Sequence, residues 1–163
     1  MIYIKPNIKL DSNIPSSLSY NYEKNYLSKK IESVCSKVGF SYKGITWIIF
    51  DPKIADIYGK KTCTIEKPLI GLRIEDYGGY SLDNKEIFIP TLPIRKEILK
   101  EMDKDNPLYD TFKNILDKNE NKYSLTDLIL YGITHFKIKS SHLNKEFYSE
   151  FDNFKKSYYK TLF

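Results

Sequence analysis

The sequence predicts an α+β fold: a small, mostly antiparallel sheet packed by an N-terminal helix and several C-terminal helices. Three observations carry that expectation. Leu27, Ile31, Val34 and Val38 recur at helical spacing, short β-branched apolar runs occupy the middle of the chain, and the pattern after Pro90 is helical to the end. At 163 residues the chain suits a single domain, and no apolar run approaches the ~18 residues that would span a bilayer. The expected division is an extended N-terminal arm over residues 1–19 and one α+β domain over residues 20–163.

In the arm, Ile2, Ile4, Ile8 and Leu10 have the pattern of a strand edge, while Pro6 and Pro15 limit ladder formation. The first helix runs from about Tyr20 to Val38, and Gly39 supplies its C-terminal stop. The run ITWIIF, Ile45 to Phe50, reads as a buried strand with Trp47 in the core. Asp51-Pro52 and Gly59 bracket one short helix, and further strands are expected near Thr62–Ile65, Leu69–Ile74 and Lys85–Ile89, with Gly78-Gly79 in the turn between the last two. A helix then begins near Pro93, carrying Ile94, Ile98 and Met102, and a second opens at Asn106-Pro107. Ser124 with Asp127 resembles a capping box for a helix that Gly132 ends. The last helix carries Leu143, Phe147, Phe151, Phe154, Tyr158 and Leu162 in one stripe.

Charge is distributed unevenly. Residues 1–63 carry ten lysines against five acids, residues 64–117 eight basic groups against eleven acids, and residues 118–163 eight lysines against five acids. Only Arg73 and Arg95 are arginine among 26 basic residues. Ala55 is the single alanine and glutamine is absent, so the lysine preference reflects the coding bias of an AT-rich genome before it reflects function. The first twenty residues lack the continuous apolar stretch of a secretory signal, and a cytoplasmic protein that does not enter a membrane is expected. Cys35 and Cys63 have no paired spacing and read as buried thiols.

The stretch GITHFKIKSSH holds both histidines. On a helix His135 and His142 would stand about 10.5 Å apart along the axis, too far to ligate one metal, and on a strand they would face opposite ways. The pattern of a two-histidine phosphodiesterase fails too, because His135 is followed by Phe136-Lys137 and His142 by Leu143-Asn144 where a hydroxyl residue is needed. No GxSxG elbow surrounds any serine, and Gly78-Gly79 fits no phosphate-loop frame. No cofactor is expected. Asp83-Asn84-Lys85 ahead of a strand, with Asp56 or Asp76, is similar to the carboxylate–lysine arrangement of restriction-type nucleases that hold Mg²⁺, but it is also ordinary turn chemistry.

Two surfaces remain. Lys24, Lys29, Lys30 and Lys37 lie on or near the polar side of the first helix, where they form either a solvated face or a track for a nucleic-acid backbone. Seven aromatics lie between Phe147 and Phe163, and Tyr148 and Tyr159, eleven residues apart, share a second face of the last helix, with Phe163 closing the chain. Such a helix is either deep in its own domain or covered by another chain. The leading expectation is therefore a non-enzymatic assembly or adaptor protein acting by protein–protein contact, as a homo-oligomer or in a larger complex. Tyr148, Tyr159, Phe163, Ile2 and Ile4 are its candidate partner-binding residues. A phage or viral structural subunit of connector or tail-collar type, or a small inhibitor of a host system, suits the size and composition. The alternative is a nucleic-acid-binding protein or Mg²⁺-dependent nuclease using Asp56, Asp76, Asp83 and Lys85.

Overall fold

The computed structural model describes residues 4–11, 14, 18–51, 78–82, 84–116, 124–140 and 144–160. Among them are four strands and five helices in the order β1 (Asn7–Leu10), α1 (Leu18–Val38), β2 (Thr46–Phe50), β3 (Gly79–Ser81), β4 (Glu86–Pro90), α2 (Thr91–Glu101), α3 (Tyr109–Leu116), α4 (Leu125–Ile138) and α5 (Lys145–Lys160). The α+β class holds.

The sheet is mixed, which corrects the mostly antiparallel expectation. Its order is β1-β2-β4-β3, with β1–β2 and β2–β4 parallel and β3–β4 antiparallel. The cause lies in α1. A helix between two strands of one sheet carries the chain back to the starting end, so the strand that follows it runs parallel to the one before. Residues 7–10 are thus the first strand of a β-α-β unit, and Ile8 is buried. The expected strands near 62–65 and 69–74 and the short helix after Pro52 lie outside the described residues. The turn before β4 also moves: Gly79 belongs to β3, and Lys85, whose N–H bonds the Leu82 carbonyl, takes φ 54° just before β4. Gly78 is still required at φ 76°, because a Cβ there would lie 2.2 Å from the Phe88 carbonyl oxygen.

Ile8, Trp47, Ile87 and Tyr80 stand opposite one another in a row across all four strands, and Leu10, Ile49 and Ile89 form the next row. This face meets the helices. Leu27, Ile31 and Val34 of α1, Ile94 and Ile98 of α2, Ile129 and Ile133 of α4, and Phe154 and Tyr158 of α5 complete one core with it. Trp47 and Ile49 are fully buried, as the run ITWIIF implies. Period-two alternation sends Ile48, Phe50 and Phe88 to the opposite face, where they are also buried.

Helix ends follow local chemistry. After Val38, Gly39 takes φ 69°, its N–H bonds the Ser36 carbonyl and the Phe40 N–H bonds the Cys35 carbonyl, which is a Schellman stop. Ser124 caps α4 by accepting from the Asp127 N–H at 3.1 Å. Gly132 does not end this helix. It lies inside α4, and a Cβ on it would come within 2.9 Å of Ile87 Cγ2, so glycine here brings the helix onto the sheet. The stop is Lys139 in the left-handed region, φ 52°. Gly132→Val is expected to lower the free energy of unfolding by about 1–3 kcal/mol through overpacking against Ile87. Urea titration measures this, and an unchanged midpoint would show that the helix tolerates a wider seat on the sheet.

Asn106 opens a turn by accepting from the Leu108 N–H, and α3 starts at Tyr109, two residues later than the Asn-Pro signal implies. Cys35 is buried, with its thiol pushed up to about 12 by desolvation, and is a packing residue. No described helix is long and apolar enough to cross a membrane.

Candidate functional site

Parallel strands leave their carboxyl ends at one edge of the sheet, the usual place for a site in such an arrangement. Asp11 follows β1, Asp51 follows β2 and Thr91 follows β4, so the topology gathers two acids and a hydroxyl there. Glu23 of α1 and Arg95 of α2 complete the group. Glu23 is fully buried; its Oε2 accepts from Arg95 Nε at 3.0 Å, and its Oε1 accepts a close hydrogen bond from the Thr91 hydroxyl. The Arg95 guanidinium lies 4.9 Å from the Tyr20 ring centroid, and the Tyr20 hydroxyl donates to Asp51 Oδ2 at 3.1 Å.

Desolvation dominates the electrostatics of this cluster. It lifts the Glu23 carboxyl from its ordinary 4.5 to about 7 against the opposing pull of Arg95 and the hydrogen bonds from Thr91 and Arg95. Tyr20 is likewise raised by burial, with Arg95 acting the other way. A carboxyl near 7 beside a guanidinium has the acidity of a general acid or base. Both its oxygens are engaged and the side chain is buried, so the arrangement clamps α1 to α2 and to the end of β4, and the Tyr20–Asp51 bond adds the end of β2.

His135 forms the second buried polar site. It is fully buried, stacks on Tyr80 with ring centroids 3.8 Å apart, lies 4.3 Å from Phe147 and meets the Tyr131 ring edge-on at 4.9 Å. The Ser140 carbonyl 2.9 Å from Nδ1 is an acceptor, so Nδ1 carries the proton. Nε2 is left buried without a hydrogen-bond partner among the described residues. Burial lowers His135 to about 4, so the ring is neutral near pH 7. Its own carbonyl receives the Ser140 N–H, and this reciprocal pair ties off the end of α4. It is a structural histidine.

The residues expected to form a contact surface divide sharply. Tyr148 and Tyr159 are 53% and 39% exposed, on the outer side of a helix whose Phe147, Phe154 and Tyr158 are buried, and Tyr159 donates to Asp127 at 3.1 Å. Ile4 is 46% exposed. Ile2, Phe163, Asp56, Asp76, Asp83 and His142 lie outside the described residues, and Lys85 sits in the turn before β4. The four lysines of α1 do not act as one track. Lys24 and Lys29 are exposed, whereas Lys30 pairs with Glu97 at 3.1 Å and Lys37 lies over the Tyr158 ring. Among the described residues no group of three or more His, Cys, Asp and Glu side chains is placed to hold a metal ion.

Comparison with protein-family models, curated proteins and solved structures finds no match to this chain.

Sequence reasoning missed Glu23 and Arg95, although both left a signal. Extending the stripe Leu27, Ile31, Val34 back by four and three residues reaches Glu23 and Tyr20, so a glutamate occupies an apolar position. Arg95 is one of two arginines in a lysine-rich chain, and a buried fork that must meet a carboxylate and an aromatic ring together is a position lysine does not fill.

Proposed function

We propose that this protein is a non-enzymatic assembly or adaptor protein that acts through protein–protein contact. The observation that carries the reading is the inversion between its polar and apolar groups. Glu23, Arg95 and His135 are buried, while large apolar side chains face solvent on two helices: Leu18 at 71% and Tyr22 at 40% on α1, Tyr148 and Tyr159 on α5. Leu18 and Tyr22 are four residues apart, and Tyr148 and Tyr159 eleven, so each pair shares one helix face. Tyrosine suits such a surface because it buries area at small entropic cost and keeps a polar tip for hydrogen bonding.

The arm contributes less than its sequence promises. Residues 7–10 pair with the chain's own β2, and the exposed Lys9 guards the outer edge of β1. The proposed contact surface is therefore helical, and a second copy of the chain is the first partner to test. A viral connector- or collar-type subunit is one proposal within this class.

Light-scattering-coupled size exclusion on the full chain and on Tyr148→Ser/Tyr159→Ser provides the measurement. The expected result is an oligomer for the wild type and at least a tenfold weaker association for the double variant, with an unchanged circular dichroism spectrum. A wild-type chain that stays monomeric to high concentration counts against self-association, and an oligomer indifferent to both substitutions removes α5 from the contact.

A further inference from the structure

The opposite edge of the sheet, at the amino ends of β1 and β2, holds a pocket of about 240 Å³ lined by Ile4, Lys5, Asn7, Tyr42, Lys43, Gly44, Ile45 and Thr46. Among the described residues its lining contains two cations and no carboxylate. Lys5 and Lys43 are exposed, and neither pairs with an acid among the described residues. Glu86, the register partner of Thr46, also stands at this amino edge, so the positive charge belongs to the pocket's own lining and not to the edge as a whole.

The pocket is also built. The Tyr42 hydroxyl donates to the Ile4 carbonyl at 2.6 Å, which fastens the 41–45 loop to the segment leading into β1. Within that loop Gly44 has φ 85° and open space where a side chain would stand, so its backbone is accessible, and its N–H has no hydrogen-bond partner among the described residues. Asn7 Nδ2 donates to Thr46 Oγ1 at 3.1 Å, and this acceptance leaves the Thr46 hydroxyl proton for another acceptor. Two lysines, a backbone N–H and a hydroxyl proton along one concavity form a cationic, donor-rich lining that suits an anion with several acceptor oxygens. Ile4 and the flank of Tyr42 add an apolar wall beside it. The volume lies just under the range of drug-sized sites, which suits one phosphate and one ring.

We propose that this pocket binds a phosphate ester, with Lys5 and Lys43 as the countercharges and Gly44 N–H and Thr46 Oγ1 as the donors to its oxygens. The inference does not rest on the protein-contact reading, and it moves any nucleic-acid contact from the α1 lysines to the sheet edge. A single strand of nucleic acid or a free nucleotide would supply the same group.

Isothermal titration of the full chain with AMP, with inorganic phosphate and with an eight-nucleotide single strand tests it. Lys5→Glu/Lys43→Glu is compared with Lys24→Glu/Lys29→Glu, which makes the same change of net charge on exposed positions of α1. The pocket variant is expected to weaken AMP binding at least tenfold and the α1 variant less than threefold. With the strand, the pocket variant is also expected to flatten the salt dependence by about 1.4 in log–log slope, at about 0.7 per lost phosphate contact. A strand that binds tighter than AMP identifies nucleic acid as the source, and equal affinities identify a free nucleotide; both uphold the site. Equal losses in the two variants, no binding of AMP by the wild type at millimolar concentration, or tighter binding of a polyglutamate peptide than of any phosphate ligand would overturn it.

Discussion

Arg95→Met is expected to lower the free energy of unfolding by about 3–5 kcal/mol at pH 8, because it leaves the Glu23 carboxylate buried without its cation. The wild-type pair sits where neither member has water to fall back on, with side-chain exposures of 4% and 0%. Removing one partner therefore costs more than the pair contributes. The native variant answers by holding Glu23 protonated, so its penalty relative to wild type should grow by about 1.4 kcal/mol per pH unit above 7, where wild-type Glu23 ionises beside Arg95. Glu23→Leu/Arg95→Met removes both charges from a site that continues the Tyr20, Leu27, Ile31 stripe. That double variant is expected within about 1 kcal/mol of wild type or above it. Urea unfolding at pH 7, 8 and 9 checks all three statements. A double variant as unstable as the single would mean that α1 and α2 depend on the ion pair itself and not merely on its completeness.

The same cluster shows where the sequence was legible and where it was not. Elements whose signal is local were readable: the α1 stripe with its glycine stop, the buried run ITWIIF, the Ser124 cap and the α5 stripe from Phe147 to Tyr158 all appear where periodicity and capping place them, while Leu143 and Leu162 lie outside the described residues. The parallel sheet was not, because its signal is the order of elements. Treating residues 1–19 as a separate arm hid the first strand of a β-α-β unit. Gly132 misled for a related reason: a glycine near the end of an apolar run looks like a stop until Ile87, 45 residues earlier in the chain, shows what it makes room for. The spacing of His135 and His142 argues against a metal pair but says nothing of what surrounds His135, because Tyr80 and Phe147, which close over it, are distant in sequence. The Lys5–Lys43 pocket had no sequence signature because its residues come from two segments joined by parallel pairing and the Tyr42–Ile4 bond.

Glu23 and His135 should impose opposite pH dependences on stability over the same interval. His135 titrates near 4 in the folded chain and near 6.5 when unfolded, so between those values the unfolded chain holds the proton. The stability it confers is complete above pH 6.5 and is lost as pH falls toward 4. Glu23 titrates near 7 folded and near 4.5 unfolded, so the folded chain takes the proton first. Its contribution is complete below pH 4.5 and is lost as pH rises toward 7. Between pH 4.5 and 6.5 the two slopes are equal and opposed, each amounting to about 3 kcal/mol at 1.36 kcal/mol per unit. Glu23→Gln keeps one acceptor oxygen, for Arg95, turns its amide N–H to the Thr91 hydroxyl oxygen and removes the titration, so relative to wild type it should lose about 3 kcal/mol on going from pH 6.5 to 4.5. His135→Phe keeps the stack on Tyr80 and Phe147 and gives up the bond to Ser140, so over the same interval it should gain about as much relative to wild type, whatever its offset at neutral pH. Chemical denaturation across this range, with each variant compared with wild type at every pH, cancels the titrations they share. Parallel curves for either variant would mean that its group keeps an ordinary pKa in the folded chain. For His135 that outcome would require water or a second hydrogen-bond partner to reach Nε2 inside its aromatic enclosure.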